Sequence, residues 1–87
     1  MRLPRESKMQ DFERLMLAIY NGTVASGKPF VTEATMKDRL RLDPEAMKPL
    51  TFTLEQRGFL AANIPDGNLT LSEMGLAYVE RYLKPSR

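Results

Sequence analysis

Eighty-seven residues, 43% hydrophobic and 28% charged, suit one ordinary globular domain and are too few for two cores. With no Cys and no His in the chain, disulfide frameworks, thiol nucleophiles, Cys/His zinc sites and imidazole acid–base chemistry are excluded. Thirteen Lys/Arg against eleven Asp/Glu leave a net charge of +2, a sign that mildly favours nucleic acid as partner.

Residues 1–6 are polar, carry Arg2 and Arg5, and are interrupted by Pro4; they read as an arm outside the domain proper. The start has no apolar run, so no signal peptide is expected, and no stretch approaches the roughly 20 apolar residues of a membrane span. A cytoplasmic protein is the expectation.

Ser7-Lys8-Met9-Gln10 has capping-box spacing and predicts the start of a first helix. Met9, Phe12, Leu15, Met16, Ile19 and Tyr20 recur on one face of it. Asn21-Gly22 is the expected stop, since both residues tolerate a left-handed backbone.

The next stretch is a loop up to Pro29, then Phe30-Val31 as a brief strand. Its segment Gly22 to Lys28 has the G-x-x-x-x-G-K spacing, but Pro29 stands where Ser or Thr is needed and no strand precedes it, so no phosphate loop is expected. Thr32 is the expected N-cap of a short second helix with Glu33 in its first turn. Met36, Leu40 and Ala34 would form its narrow apolar stripe, ending near Arg41.

Asp43-Pro44-Glu45 signals a third helix, with Met47, Leu50, Leu54 and Ala46 on one face and Arg57-Gly58 closing it. Pro49 leaves two alternatives: a helix from Pro44 that lacks one backbone bond, or a loose turn followed by helix from about Lys48. Residues 59–64 read as a strand, Pro65-Asp66-Gly67-Asn68 as a turn, and 69–71 as the partner strand. Ser72 then caps a last helix whose exit is Pro85. The domain therefore spans 7–84, with 85–87 as a tail.

This order of elements resembles the winged helix-turn-helix family. Leu54-Glu55-Gln56-Arg57-Gly58-Phe59-Leu60 is similar to the family's recognition-helix exit, and Leu69-Thr70-Leu71-Ser72-Glu73-Met74-Gly75 to its wing-to-helix junction, either stretched by two residues or read as Leu71-Ser72-Glu73-Met74-Gly75. The layout is also similar to the YjcQ group of small phage-type winged-helix proteins. The resemblance covers residues 8–83 and implies a mostly helical α+β fold: a three-helix core, a two- or three-stranded wing and a C-terminal helix. It further implies a small transcriptional regulator that lays its third helix in the major groove of double-stranded DNA. On that reading Lys48, Phe52 and Gln56 meet bases or phosphates, Lys37, Arg39 and Arg41 meet the backbone, as could Lys28, and the arm with Arg2 and Arg5 reaches a minor groove.

The residues also support a second expectation. Lys48 is the lone cation of the third helix's outer face, beside Glu45 and Glu55, and the wing tip carries Asp66. A winged helix given over to protein–protein contacts is the alternative. In the last helix Leu76, Val79 and Leu83 form one stripe and Met74, Tyr78 and Tyr82 another. Together they are wider than one core contact needs, so the second stripe is the expected interface of a homodimer. No carboxylate pair or dyad suggests an enzyme, and no cofactor or metal is expected.

Overall fold

The computed structural model describes residues 9–62 and 64–83. The Arg2/Arg5 arm, the Ser7 box and the Pro85 exit lie outside the described residues. Four helices and one small antiparallel sheet make up the rest: α1 (Asp11–Thr23), β1 (Val31–Thr32), α2 (Glu33–Leu40), α3 (Pro44–Gln56), β2 (Asn68–Leu69) and α4 (Glu73–Tyr78), the last running into a π-helical turn, Val79–Leu83. The fold is α+β and mostly helical.

Helix α1 is the central element. Its stripe Phe12, Leu15, Met16, Ile19 and Tyr20 is buried as the spacing predicts, and it packs against α2, α3 and the π-helical turn. Its start lies later than Ser7: Gln10 is the N-cap, and the Glu13 carboxylate accepts a 2.9 Å hydrogen bond from the Gln10 N–H. Its end also lies later, at Thr23. Gly22 is not a left-handed stop but a buried helical residue over which β1 crosses. A Cβ there would stand 2.6 Å from Val31 Cγ1. Thr23 closes the turn by donating its hydroxyl to the Ile19 carbonyl at 2.7 Å.

Thr32 caps α2 as expected, its Oγ1 accepting from the Thr35 N–H at 3.1 Å. Met36 is buried and Leu40 half-buried, but Ala34 is exposed and takes no part in the stripe. Arg41 ends the helix with φ 58, a left-handed conformation that turns the chain sharply into α3.

Helix α3 begins at Pro44, so Pro49 lies inside it. Pro49 offers no N–H to the Glu45 carbonyl four residues back. Both residues are on the exposed side, where water can satisfy that carbonyl, which is why the helix tolerates the gap. Its exit is a Schellman motif: Phe59 N–H donates to the Leu54 carbonyl at 2.9 Å and Gly58 N–H to the Glu55 carbonyl at 3.1 Å, with Gly58 at φ 76.

The sheet departs from expectation. Val31 pairs with Leu69 and Thr32 with Asn68, so β2 bonds chiefly to the segment before α2. The expected strand 59–64 is reduced to a single bridge, Leu60 to Leu71, flanked by Ala61 N–H to the Thr70 carbonyl and Ser72 N–H to the Phe59 carbonyl, each at 2.9 Å. Ala61 and Ala62 have little side chain to pair across strands, and Pro65 soon follows, so the ladder stops. The turn at 65–68 forms as expected, with Asn68 N–H donating to the Pro65 carbonyl at 3.1 Å.

Ser72 ties the two halves together. Its hydroxyl donates to the Gly58 carbonyl at 2.7 Å and accepts from the Gly75 N–H at 3.0 Å, capping α4 against the exit of α3. The C-terminal helix then lies over α1. Val79 is fully buried, Tyr20 donates to Glu80 at 3.0 Å, and Tyr78 donates to Glu13 at 2.7 Å. That carboxylate bond, helped by burial, holds the Tyr78 phenol above its ordinary pKa.

Candidate nucleic-acid interface

The inner face of α3, Met47 and Leu54, is buried against α1, with Leu50 half-buried beside them. By helical periodicity the opposite face is free, and Glu45, Lys48, Pro49, Phe52 and Gln56 are all exposed. Phe52 stands 59% exposed, an uncommon state for a Phe with no covering neighbour. Lys48, Phe52 and Gln56 sit at i, i+4 and i+8, so α3 presents them as one row.

The remaining expected cations do not join that row as a group. Arg41 is exposed in the turn before α3, three residues ahead of its first residue, Pro44. Lys37 is half-buried and stands 3.8 Å from Asp38. Arg39 lines a groove together with Arg14, Leu17 and Leu40, on the α1 side of α2. Lys28 is exposed in the loop after α1. Arg57, at the end of α3, is exposed but engaged within the chain, its guanidinium carbon 4.6 Å from the centre of the Phe12 ring.

Charge is distributed unevenly along the chain. Residues 9–83 carry eight Lys/Arg and ten Asp/Glu, so the body is slightly acidic; the excess of cations comes from 1–8 and 84–87. A groove of about 430 Å³ between the start of α2, the end of α3 and the turn at 65–68 brings together Glu33, Glu55 and Asp66 over Leu60, Ile64 and Leu69. Among the described residues it has no cationic lining. The sequence shows Glu55 and Asp66 singly and not their convergence with Glu33, because the pairing of β1 with β2 is what draws the start of α2 to the turn at 65–68.

The expected dimer stripe is divided. Met74 and Tyr82 are 58% and 65% exposed. Tyr78 is half-buried, bonded to Glu13 and stacked at 4.9 Å on Phe59 and 5.0 Å on Tyr82. It therefore anchors the helix within the chain and leaves Met74 and Tyr82 as the outward pair. Among the described residues no group of three or more carboxylates is placed to hold a metal ion, and no helix is long and apolar enough to cross a membrane. No protein-family model, curated protein or solved structure matches the chain.

Proposed function

We propose that the chain is a small winged-helix protein that binds duplex DNA through the outer face of α3. The observation that carries this reading is the uncovered row Lys48–Phe52–Gln56 on the second helix of a helix–turn–helix pair, the element that enters the major groove in winged-helix proteins. Lys48 suits a phosphate or guanine, Phe52 a thymine methyl, and Gln56 an adenine edge. Arg41, exposed in the turn before α3, would supply a phosphate contact that fixes the register, and Lys37 a further one. A second copy docked through Met74 and Tyr82 would double the footprint, a regulator working as a homodimer. Light scattering of Met74→Ser with Tyr82→Ser tests that pairing: the expected outcome is a dimer turned monomer, and a wild type already monomeric at high concentration removes it.

The DNA reading makes a specific claim about side chains. Lys48→Ala combined with Arg41→Ala is expected to weaken duplex binding by about tenfold, at roughly one lost phosphate contact each, and to flatten its salt dependence. Unchanged affinity in that variant would remove the α3 face from the interface.

A specific observation favours a second reading, a protein-interaction module. The carboxylates of Glu33, Glu55 and Asp66 beside the wing would repel a duplex lying along α3 and the wing together. Under this reading Phe52 is the apolar anchor of a protein contact. Phe52→Ala then has no effect on DNA, whereas the DNA reading expects a loss of preference at one base step.

A further inference from the structure

Leu17 lies off the core stripe of α1. Its neighbours Leu15, Met16 and Ile19 are fully buried, while Leu17 is only half-buried. It stands with Arg14 and Ala18 on the α1 side of a groove of about 300 Å³, whose other side is Arg39 and Leu40 of α2, with Met9 at the end before α1. Arg14 and Leu40, with Asp11, also border a smaller recess that reaches Leu42 and Leu50. Four half-buried leucines, 17, 40, 42 and 50, thus lie along one seam of the molecule. Residues 14, 17, 18 and 21 of α1 follow i, i+3, i+4, i+7, so the groove runs along the helix for about 10 Å, at 1.5 Å per residue.

The charged residues lining the larger groove are Arg14 and Arg39, and Asp11 lines only the smaller recess. Arg14 and Arg39 are exposed at the groove, and no carboxylate lines it among the described residues. Asp11 approaches Arg14 only at 3.8 Å with both side chains well exposed, a pairing that water and salt screen heavily. Phosphates would find the two guanidiniums, but a nucleic-acid backbone has no apolar ridge to fill a floor of Leu17, Ala18 and Leu40. A partner that satisfies both features carries apolar side chains between carboxylates.

We propose that the groove between α1 and α2 docks an amphipathic helix of a partner protein, with Leu or Ile seated between Leu17 and Leu40 and Asp or Glu facing Arg14 and Arg39. Helix-in-groove recognition uses anchors at i, i+3 or i+4, and i+7, a spacing that matches the length available here. The surface shares no residue with the Lys48–Phe52–Gln56 row, so it adds a protein contact to a DNA-binding chain and does not depend on that row.

The test is fluorescence polarisation with two labelled peptides of about 16 residues, both made of Leu, Ala, Glu and Asp. One has its leucines in helical phase and the other has the same composition scrambled. The full chain is expected to bind the in-phase peptide at least about tenfold more tightly than the scrambled one. Arg14→Glu with Arg39→Glu, both at exposed positions, is expected to cost about tenfold or more while leaving circular dichroism and thermal melting unchanged. Equal binding of the two peptides, or charge reversal without effect, overturns the proposal. Self-association of the chain that Arg39→Glu abolishes, with no peptide binding, would also overturn it by assigning the groove to a second copy.

Discussion

Gly75→Ala is expected to lower stability by about 3 kcal/mol, the upper end of what overpacking costs. The first turn of α4 lies directly on the backbone of Phe59. A Cβ at position 75 would stand 2.3 Å from the Phe59 carbonyl oxygen, 3.1 Å from its carbon and 3.3 Å from Leu71 Cβ. None of these is a flexible side-chain end that can swing aside. The Phe59 oxygen is also held in place by the Ser72 N–H at 2.9 Å, so relief requires breaking the junction between α3 and α4. Helix propensity works the other way, since Ala is better than Gly by about 1 kcal/mol in a helix interior, and the clash exceeds it. Urea unfolding checks the sign. A Gly75→Ala variant as stable as the wild type would show that α4 does not approach Phe59 this closely.

Leu54→Ala is expected to lower stability by about 3 kcal/mol, within the 2–5 kcal/mol typical of a buried Leu truncated to Ala. Leu54 is fully buried on the inner face of α3, and its carbonyl receives the Phe59 N–H that forms the Schellman exit. Because the backbone bond survives the substitution, the loss is one of packing against α1. A domain of this size has only about 4–13 kcal/mol in total, at roughly 0.05–0.15 kcal/mol per residue. The expected drop in melting temperature is about 10–25 °C, from 4–8 °C per kcal/mol in domains of this length. A shift below about 4 °C would mean that α3 is not anchored through this residue. The two variants separate two joints of the fold, since Gly75 governs how α4 meets Phe59 at the exit of α3 and Leu54 governs how α3 meets α1.

Much of this was readable in the sequence where one local rule controls the outcome. The stripe Phe12 to Tyr20, the Thr32 and Ser72 caps, the Pro44 start and the Gly58 exit depend on spacing and on backbone preferences that neighbours share along the chain. The errors arose where distant segments decide. Gly22 looked like a helix stop because Asn-Gly usually is one; β1 crossing at Val31 instead requires a residue without a side chain inside the helix. Residues 59–64 read as half of a hairpin, but β2 pairs with β1, and among the described residues the segment keeps the single Leu60–Leu71 bridge. Pro49 was undecidable from sequence, because its cost depends on whether the Glu45 carbonyl it leaves unbonded meets solvent or core.

The candidate site was legible in part. Exposure of Lys48, Phe52 and Gln56 followed from the helical period once Met47, Leu50 and Leu54 were placed inside. Arg39 could not be separated from Lys37 and Arg41 by sequence alone, since its place beside Leu17 depends on how α2 crosses α1. Nor could Tyr78 be separated from Met74 and Tyr82. They share a stripe, but Glu13 and Phe59 draw only Tyr78 inward. The partition of charge was present in the sequence throughout, and its meaning appears only when the acidic body is set beside the acidic groove at the wing.

The central claim, that α3 faces DNA, is tested most directly by titrating a random-sequence duplex with the full chain at several salt concentrations between about 50 and 200 mM. On the proposed reading, with few phosphate contacts, the chain is expected to bind measurably at the lowest salt, with a shallow negative slope of log affinity against log salt, about two to four counterions released. No binding at about 50 mM, where electrostatic contact is strongest, would contradict the DNA reading and leave the exposed Phe52 face to a protein partner.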